Sequence, residues 1–136
     1  MPSMKLFDIA GSAMAAQSVR LNTVASNLAN AGNVTGDPQS VYKPVEPVFQ
    51  TMPSDPAQPG LGGVRVTRIE QSQAEPLKRY EPGNPLADAQ GYVYAPDIDP
   101  VAQMVNMISA ARAYQADVEV LNTGKELALA TLNLGR

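Results

Sequence analysis

The side chains with the best claim to chemistry are the carboxylates in the middle of the chain: Glu46, Glu70, Glu75, Glu81, Asp88, Asp97 and Asp99. Two carboxyl groups flanking a glycosidic bond can act as acid and base, so a glycoside hydrolase is one function these residues could serve. The competing reading is that they are solvated turn and cap residues, because none sits in an apolar run that would raise its pKa. Little else is open to an enzyme. The 136 residues include no His and no Cys, which removes catalytic triads, thiol nucleophiles and zinc sites of the usual nitrogen and sulfur type. Asp97-Ile98-Asp99 alternates as a calcium loop does but lacks that loop's glycine and distal Glu. Gly60-Leu61-Gly62-Gly63 is glycine-rich, yet no Lys-Ser/Thr follows and no helix opens there, so it is a poor phosphate cradle. No catalytic residue, metal or cofactor is therefore expected.

The elements that would have to position these groups are set out by proline. Of 12 prolines, all but Pro2 lie between Pro38 and Pro100, and proline inside a helix costs about 3 kcal/mol. Both ends can be long helices and the middle cannot. In the first segment Phe7, Ala10, Met14, Gln17, Leu21, Val24, Leu28 and Ala31 keep strict three-and-four spacing, with Gln17 the one polar member; that is a heptad seam. Ser3 is the expected N-cap and Gly32 the expected stop. In the last segment Met104, Met107, Ala111, Tyr114, Val118, Leu121, Lys125, Ala128 and Leu132 repeat the spacing. Asp99 before Pro100 reads as an N-cap with proline at the first helical position.

Between them the chain reads as short strands and turns. Val41 to Gln50, broken by Pro44 and Pro47, suits only an edge strand or an extended segment. Met52 to Gly63 is turn chemistry. Val64, Val66 and, with one slip, Ile69 mark the best strand, Pro82-Gly83-Asn84-Pro85 a turn, and Gly91 to Ala95 a second short strand. The expected fold is mainly α with a small β domain: residues 1–33 and 100–136 form long terminal helices in an antiparallel coiled-coil layer, around a Pro/Gly-rich, strand-containing middle domain over 34–99. Consecutive helices returning to the same end should place Leu21 near Val118, Leu28 near Ala111 and Phe7 near Leu132.

A net charge of −3 argues against nucleic-acid binding, which needs a Lys/Arg surplus. No apolar run reaches membrane-span length and no secretory signal opens the chain, so neither membrane insertion nor a cleaved leader is expected. The outer helix faces decide what the seams are for. From Ser12 to Asn33 the one charged residue is Arg20, and from Val101 to Gln115 it is Arg112. A solvent-facing hairpin normally carries Lys and Glu there, whereas small uncharged residues on all sides suit helices packed among neighbours.

Leu6-Phe7-Asp8-Ile9-Ala10-Gly11-Ser12-Ala13-Met14, then Arg20-Leu21-Asn22 and Ser26-Asn27-Leu28-Ala29-Asn30-Ala31, resemble the N-terminal signature of bacterial flagellar axial proteins. Arg112 to Thr123 and Thr131-Leu132-Asn133-Leu134-Gly135 resemble the matching C-terminal helix. Within that family, Tyr80-Glu81-Pro82-Gly83-Asn84-Pro85-Leu86-Ala87-Asp88 with Gly91-Tyr92-Val93 is similar to the C-type proximal rod group, as is the separation of Thr35-Gly36 from Tyr42-Lys43. The resemblance implies a non-enzymatic rod subunit, exported unfolded by the flagellar type III apparatus and built into the periplasmic drive shaft. Its implied partners are copies of itself, other proximal and distal rod subunits and the rod-base adaptor. The implied assembly residues are Phe7, Ala10, Met14, Leu21, Val24, Asn27, Leu28, Asn30 and Ala31 at one end, and Met104, Met107, Ala111, Tyr114, Val118, Leu121, Ala128 and Leu132 at the other. A wall hydrolase working beside the rod and a secreted helical-hairpin adaptor are the alternatives.

Overall fold

The computed structural model describes residues 2–53 and 60–135, in the order α1 (Pro2–Asn30), β1 (Val45–Pro53), β2 (Gly62–Gln71), β3 (Leu77–Tyr80), β4 (Tyr92–Ala95) and α2 (Pro100–Leu134). About half the chain is helical. α2 begins as its sequence dictates: the Asp99 carboxylate accepts the Val101 N–H at 2.9 Å, and Pro100 fills the first turn, where no N–H is needed. α1 already includes Pro2, so Ser3 lies inside the helix instead of capping it. Gly32 does not take the left-handed conformation expected of a terminating glycine; among the described residues only Gly91, at φ 84°, does. α1 instead stops as Asn33 N–H bonds to Asn30 O at 3.1 Å.

β1 and β2 form an antiparallel two-stranded ribbon reaching Met52–Pro53 and Gly62–Gly63, so part of the expected turn is strand. Both strands are edges, which is why Pro47 is tolerated within β1. The pairing slips between Val48 and Phe49, whose partners are Arg68 and Val66, leaving Thr67 as the extra residue of a bulge. That bulge is the physical form of the one-residue slip between Val66 and Ile69. β3, unforeseen in the sequence, pairs antiparallel with β4, and Thr35 bridges to Tyr94 on the other edge.

α1 lies between α2 on one side and the β1–β2 ribbon on the other. The helices are antiparallel, with Asn27 beside Gln103 at one end and Leu6 and Phe7 beside Gly124 at the other. The offset differs from expectation: Phe7 meets Gly124, roughly two turns before Leu132. α2 starts level with the end of α1 and is 35 residues long against 29, so its surplus runs past the start of α1. Fully buried apolar residues are small: Ala10, Ala16, Val24, Val93, Ala95 and Ala110. The chain exposes 9168 Å², against about 6,800 Å² for a compact monomer of this mass. Such an excess marks an elongated molecule with much uncovered apolar surface.

Candidate assembly surface

Asn27 is the most completely used polar side chain of the helix pair. Its amide is 1% exposed, and it makes all four hydrogen bonds an Asn side chain can make. Oδ1 accepts from Val45 N–H at 2.9 Å and from the Tyr42 hydroxyl at 3.0 Å. Nδ2 donates to Val45 O at 2.9 Å and to Gln103 Oε1 at 3.4 Å. Because Tyr42 spends its one hydrogen on Asn27, Ser26 Oγ donates to Tyr42 Oη at 3.0 Å. Asn27 thus stands in for a neighbouring strand at the start of β1 while touching α2. Fifteen residues earlier Ser12 does the same for β2, accepting Val64 N–H at 3.0 Å and donating to Ile9 O at 2.7 Å. Gly63 permits that approach, since a Cβ there would lie 2.6 Å from Ser12 Oγ.

On α1 the structure buries Ala10, Val24 and Asn27 and half-buries Phe7, Met14, Leu21, Leu28, Asn30 and Ala31. Sequence spacing selected that side of the helix correctly. On α2, Met107, Ala111, Tyr114, Val118, Leu121 and Ala128 are half-buried, but Met104 is 49% and Leu132 68% exposed, so those two lie outside the intramolecular seam. Lys125 is exposed as well. Gln103, Asn106 and Gly124 contact α1 instead, and Ala110 and Asp117 on the same stripe are buried and half-buried, with Met107, Tyr114 and Leu121 shared between the expected stripe and the observed one. Arg20 Nε donates to Asn106 Oδ1 at 2.7 Å. Burial raises the Asp117 pKa above its ordinary value. Arg20, Asn106, Gln103 and Gly124 were missed as contact residues. Gly124 carried a usable signal, because a glycine deep in a helix costs about 1 kcal/mol and marks a close approach.

Two apolar surfaces of α2 remain uncovered. Val101, Met104, Val105 and Ile108 are exposed along the first two turns of α2, and Leu127, Leu129, Leu132 and Leu134 along its last part, the final two past the start of α1. No described helix is long and apolar enough to cross a membrane.

Four of the carboxylates, Glu70, Glu81, Asp88 and Asp99, do structural work. Glu46 faces Glu70 across the ribbon, and Glu70 pairs with Arg68. Glu81 accepts from Asn84 Nδ2 at 2.9 Å, and Asp99 caps α2. Asp88 accepts the Tyr92 and Gln90 N–H groups, both at 2.9 Å, and these bonds, led by that from Tyr92, hold its pKa below the ordinary carboxylate value. A general acid needs a shift the other way. No group of three or more acidic residues among those described could hold a metal ion.

Residues 7–36 match the family model for flagella basal body rod proteins, and residues 89–134 match the C-terminal model of flagellar basal body rod FlgEFG proteins. The flagellar basal-body rod protein FlgC of Salmonella typhimurium is 54% identical over 138 residues, covering all of both chains. The chain belongs to the FlgC family of flagellar basal-body rod proteins. FlgC of Escherichia coli O6:H1 is likewise 54% identical over the full length of both chains, and FlgC of Aquifex aeolicus is 40% identical over 88% of this chain and 87% of its own. FlgC-family proteins are structural subunits of the rod, which agrees with Asp99 spent on a helix cap and Asp88 and Glu81 on turns. The first family match covers most of α1 and the second covers β4 and α2, leaving the β1–β2 ribbon and β3 outside both.

Proposed function

We propose that this chain is a structural subunit of the proximal rod that assembles through its terminal helices into the tubular shaft carrying torque and enclosing the axial export path. The helices form the coiled-coil inner layer, over residues 1–33 and 100–136, and residues 34–99 face outward. The observation that carries the reading is the uncovered surface of α2: its leucines at one end and its Val101, Met104, Val105 and Ile108 stripe at the other are half exposed or more, while the faces around them hold almost no charge. Monomers that stay soluble alone rarely leave such patches bare. Partners in this reading are copies of the chain, proximal and distal rod proteins, the rod-base adaptor and, during delivery, the type III export apparatus. The location is the periplasmic part of the basal body, reached without cleavage of a leader.

The test is complementation of a flagellated bacterium lacking its own FlgC, followed by isolation of basal bodies. Complete rods containing this chain, and restored swimming, are the expected result. Rods completed without the chain, or digestion of purified cell wall by it, would replace this reading with the enzymatic one.

A further inference from the structure

α2 carries two overlapping stripes at heptad spacing. One is Met104, Met107, Ala111, Tyr114, Val118, Leu121 and Lys125; the other, one residue earlier at alternate positions, is Gln103, Met107, Ala110, Tyr114, Asp117, Leu121 and Gly124. At 3.6 residues per turn the two differ by a rotation of about 50° of α2 about its own axis. Apolar burial favours the first, which offers Met104 and Val118 in place of Gln103 and Asp117. The structure adopts the second, with Ala110 fully buried and Met104 half exposed. The polar residues on that stripe are therefore used for something other than apolar burial.

Two contacts account for the choice. Asn27 Nδ2 reaches Gln103 Oε1, and Arg20 Nε reaches Asn106 Oδ1. Asn27 cannot swing to follow a rotated α2, because its other three hydrogen bonds bind Val45 N–H, Val45 O and Tyr42. Turning α2 to bury Met104 would leave one buried amide hydrogen of Asn27 unpaired and Arg20 without its partner, each a penalty of the kind that makes buried polar groups decisive for register. We propose that the Asn27–Gln103 and Arg20–Asn106 hydrogen bonds are a rotation lock: they hold the polar stripe of α2 against α1 and thereby keep Val101, Met104, Val105 and Ile108 outward. Because Asn27 is held by β1, the middle domain sets which face of α2 the molecule presents. The lock is a property of the single chain; its consequence for assembly rests on the rod reading.

The absence of native Cys allows a direct measurement. In the full chain, Met104→Cys should react rapidly with a maleimide and Ala110→Cys at least tenfold more slowly. Replacing Gln103 and Asn106 together by Ala removes both acceptors without adding apolar surface; Met104→Cys labelling should then slow at least tenfold and Ala110→Cys labelling should rise. Gln103→Glu with Asn106→Asp keeps an acceptor at each position and should leave the original pattern, which separates the hydrogen bonds from side-chain bulk. Unchanged labelling in the double-Ala chain would overturn the lock. So would fast labelling at both positions, which would show that the pairs hold α2 onto α1 without orienting it. Swimming is read on the same variants. A shifted labelling pattern with normal swimming would leave the lock standing and remove the outward stripe from rod assembly, whereas lost swimming in the double-Ala chain and retained swimming in the Glu/Asp chain would connect the two.

Discussion

The helix pair and the β3–β4 region solve the same problem in opposite ways. In the smaller region Val93 is 0% exposed and Ala95 is buried beside it. Lys78 Nζ sits 4.0 Å from the centre of the Tyr92 ring, and the Tyr80 and Tyr92 rings lie 5.2 Å apart. The loop before β4 is closed by Asp88, with Gly91 taking the φ of 84° that the turn demands. Short segments close on themselves through local contacts. The helices are seven to nine times the length of β4 in residues, yet their shared interior is mainly Ala, with Val24 its largest fully buried apolar side chain and their large apolar side chains partly or wholly outside. What separates the regions is the size of what is buried for its length: β3–β4 turns Val93 fully inward although Leu77, Tyr80 and Leu86 stay exposed, whereas the much longer helices bury mainly Ala and leave Val101, Met104, Val105, Ile108 and the last leucines of α2 half exposed or more.

The sharpest way to break this comparison is Leu28→Asp. A charge placed in the α1 seam, where the alternative is water, should abolish rod assembly and swimming while export continues; Glu81→Gln should do far less. Normal swimming by the Leu28 variant would take the seam out of the assembly surface. Next in size, replacing Leu129 and Leu132 together by Ser should also abolish swimming yet change the unfolding free energy of the monomer by no more than about 0.5 kcal/mol per site, whereas Val93→Ala should cost about 2 kcal/mol through its cavity. Denaturant melts separate the two cases, and a large loss of monomer stability from the leucine pair would show that the end of α2 is held within the chain after all.

Hydrogen exchange on a verified monomer is the third measurement. The strands between residues 45 and 95 should exchange more slowly than the helices, which lack their neighbours in solution; slow exchange across residues 10 to 30 would contradict that. A proximity test accompanies it: a short thiol cross-linker should join Phe7→Cys to Gly124→Cys within one chain and fail to join Phe7→Cys to Leu132→Cys. The smallest effect is on acid response, and its sign differs between the regions. Asp88 has a folded-state pKa below the ordinary 3.8, so its contribution is complete above that value and is lost as pH falls through the lowered one. Asp117 has a folded-state pKa above 3.8; it binds its proton more readily in the folded chain, so acidification through that range relieves a cost to the helix pair. Asp117→Asn should therefore flatten the rise in helix stability on mild acidification, and Asp88→Asn should remove the acid-induced change at the Tyr92 amide in an NMR titration.

Much of this was legible in sequence because it rests on local rules. The proline map bounded both helices, the Asp99–Pro100 cap placed the start of α2 to the residue, and the slip between Val66 and Ile69 was the bulge. β3 was illegible because Leu77-Lys78-Arg79-Tyr80 shows no inward alternation: all four residues are exposed, and the strand exists through its pairing with β4. The inward side of each helix was legible on α1, where the expected stripe is buried or half-buried, and half legible on α2, where two stripes compete.

The sequence by itself determined the placement of two long helices around a strand-bearing middle, the antiparallel return of the second helix and the shortage of charge on the helix faces, since each follows from spacing and residue type along the chain. Tertiary structure decided the offset and the rotation of α2. A heptad seam pairs almost equally well when slid by two turns or turned by half a residue step. What distinguishes those states are single contacts between distant positions: Asn27 against Gln103, Arg20 against Asn106, and the gap at Gly124 that admits Leu6 and Phe7.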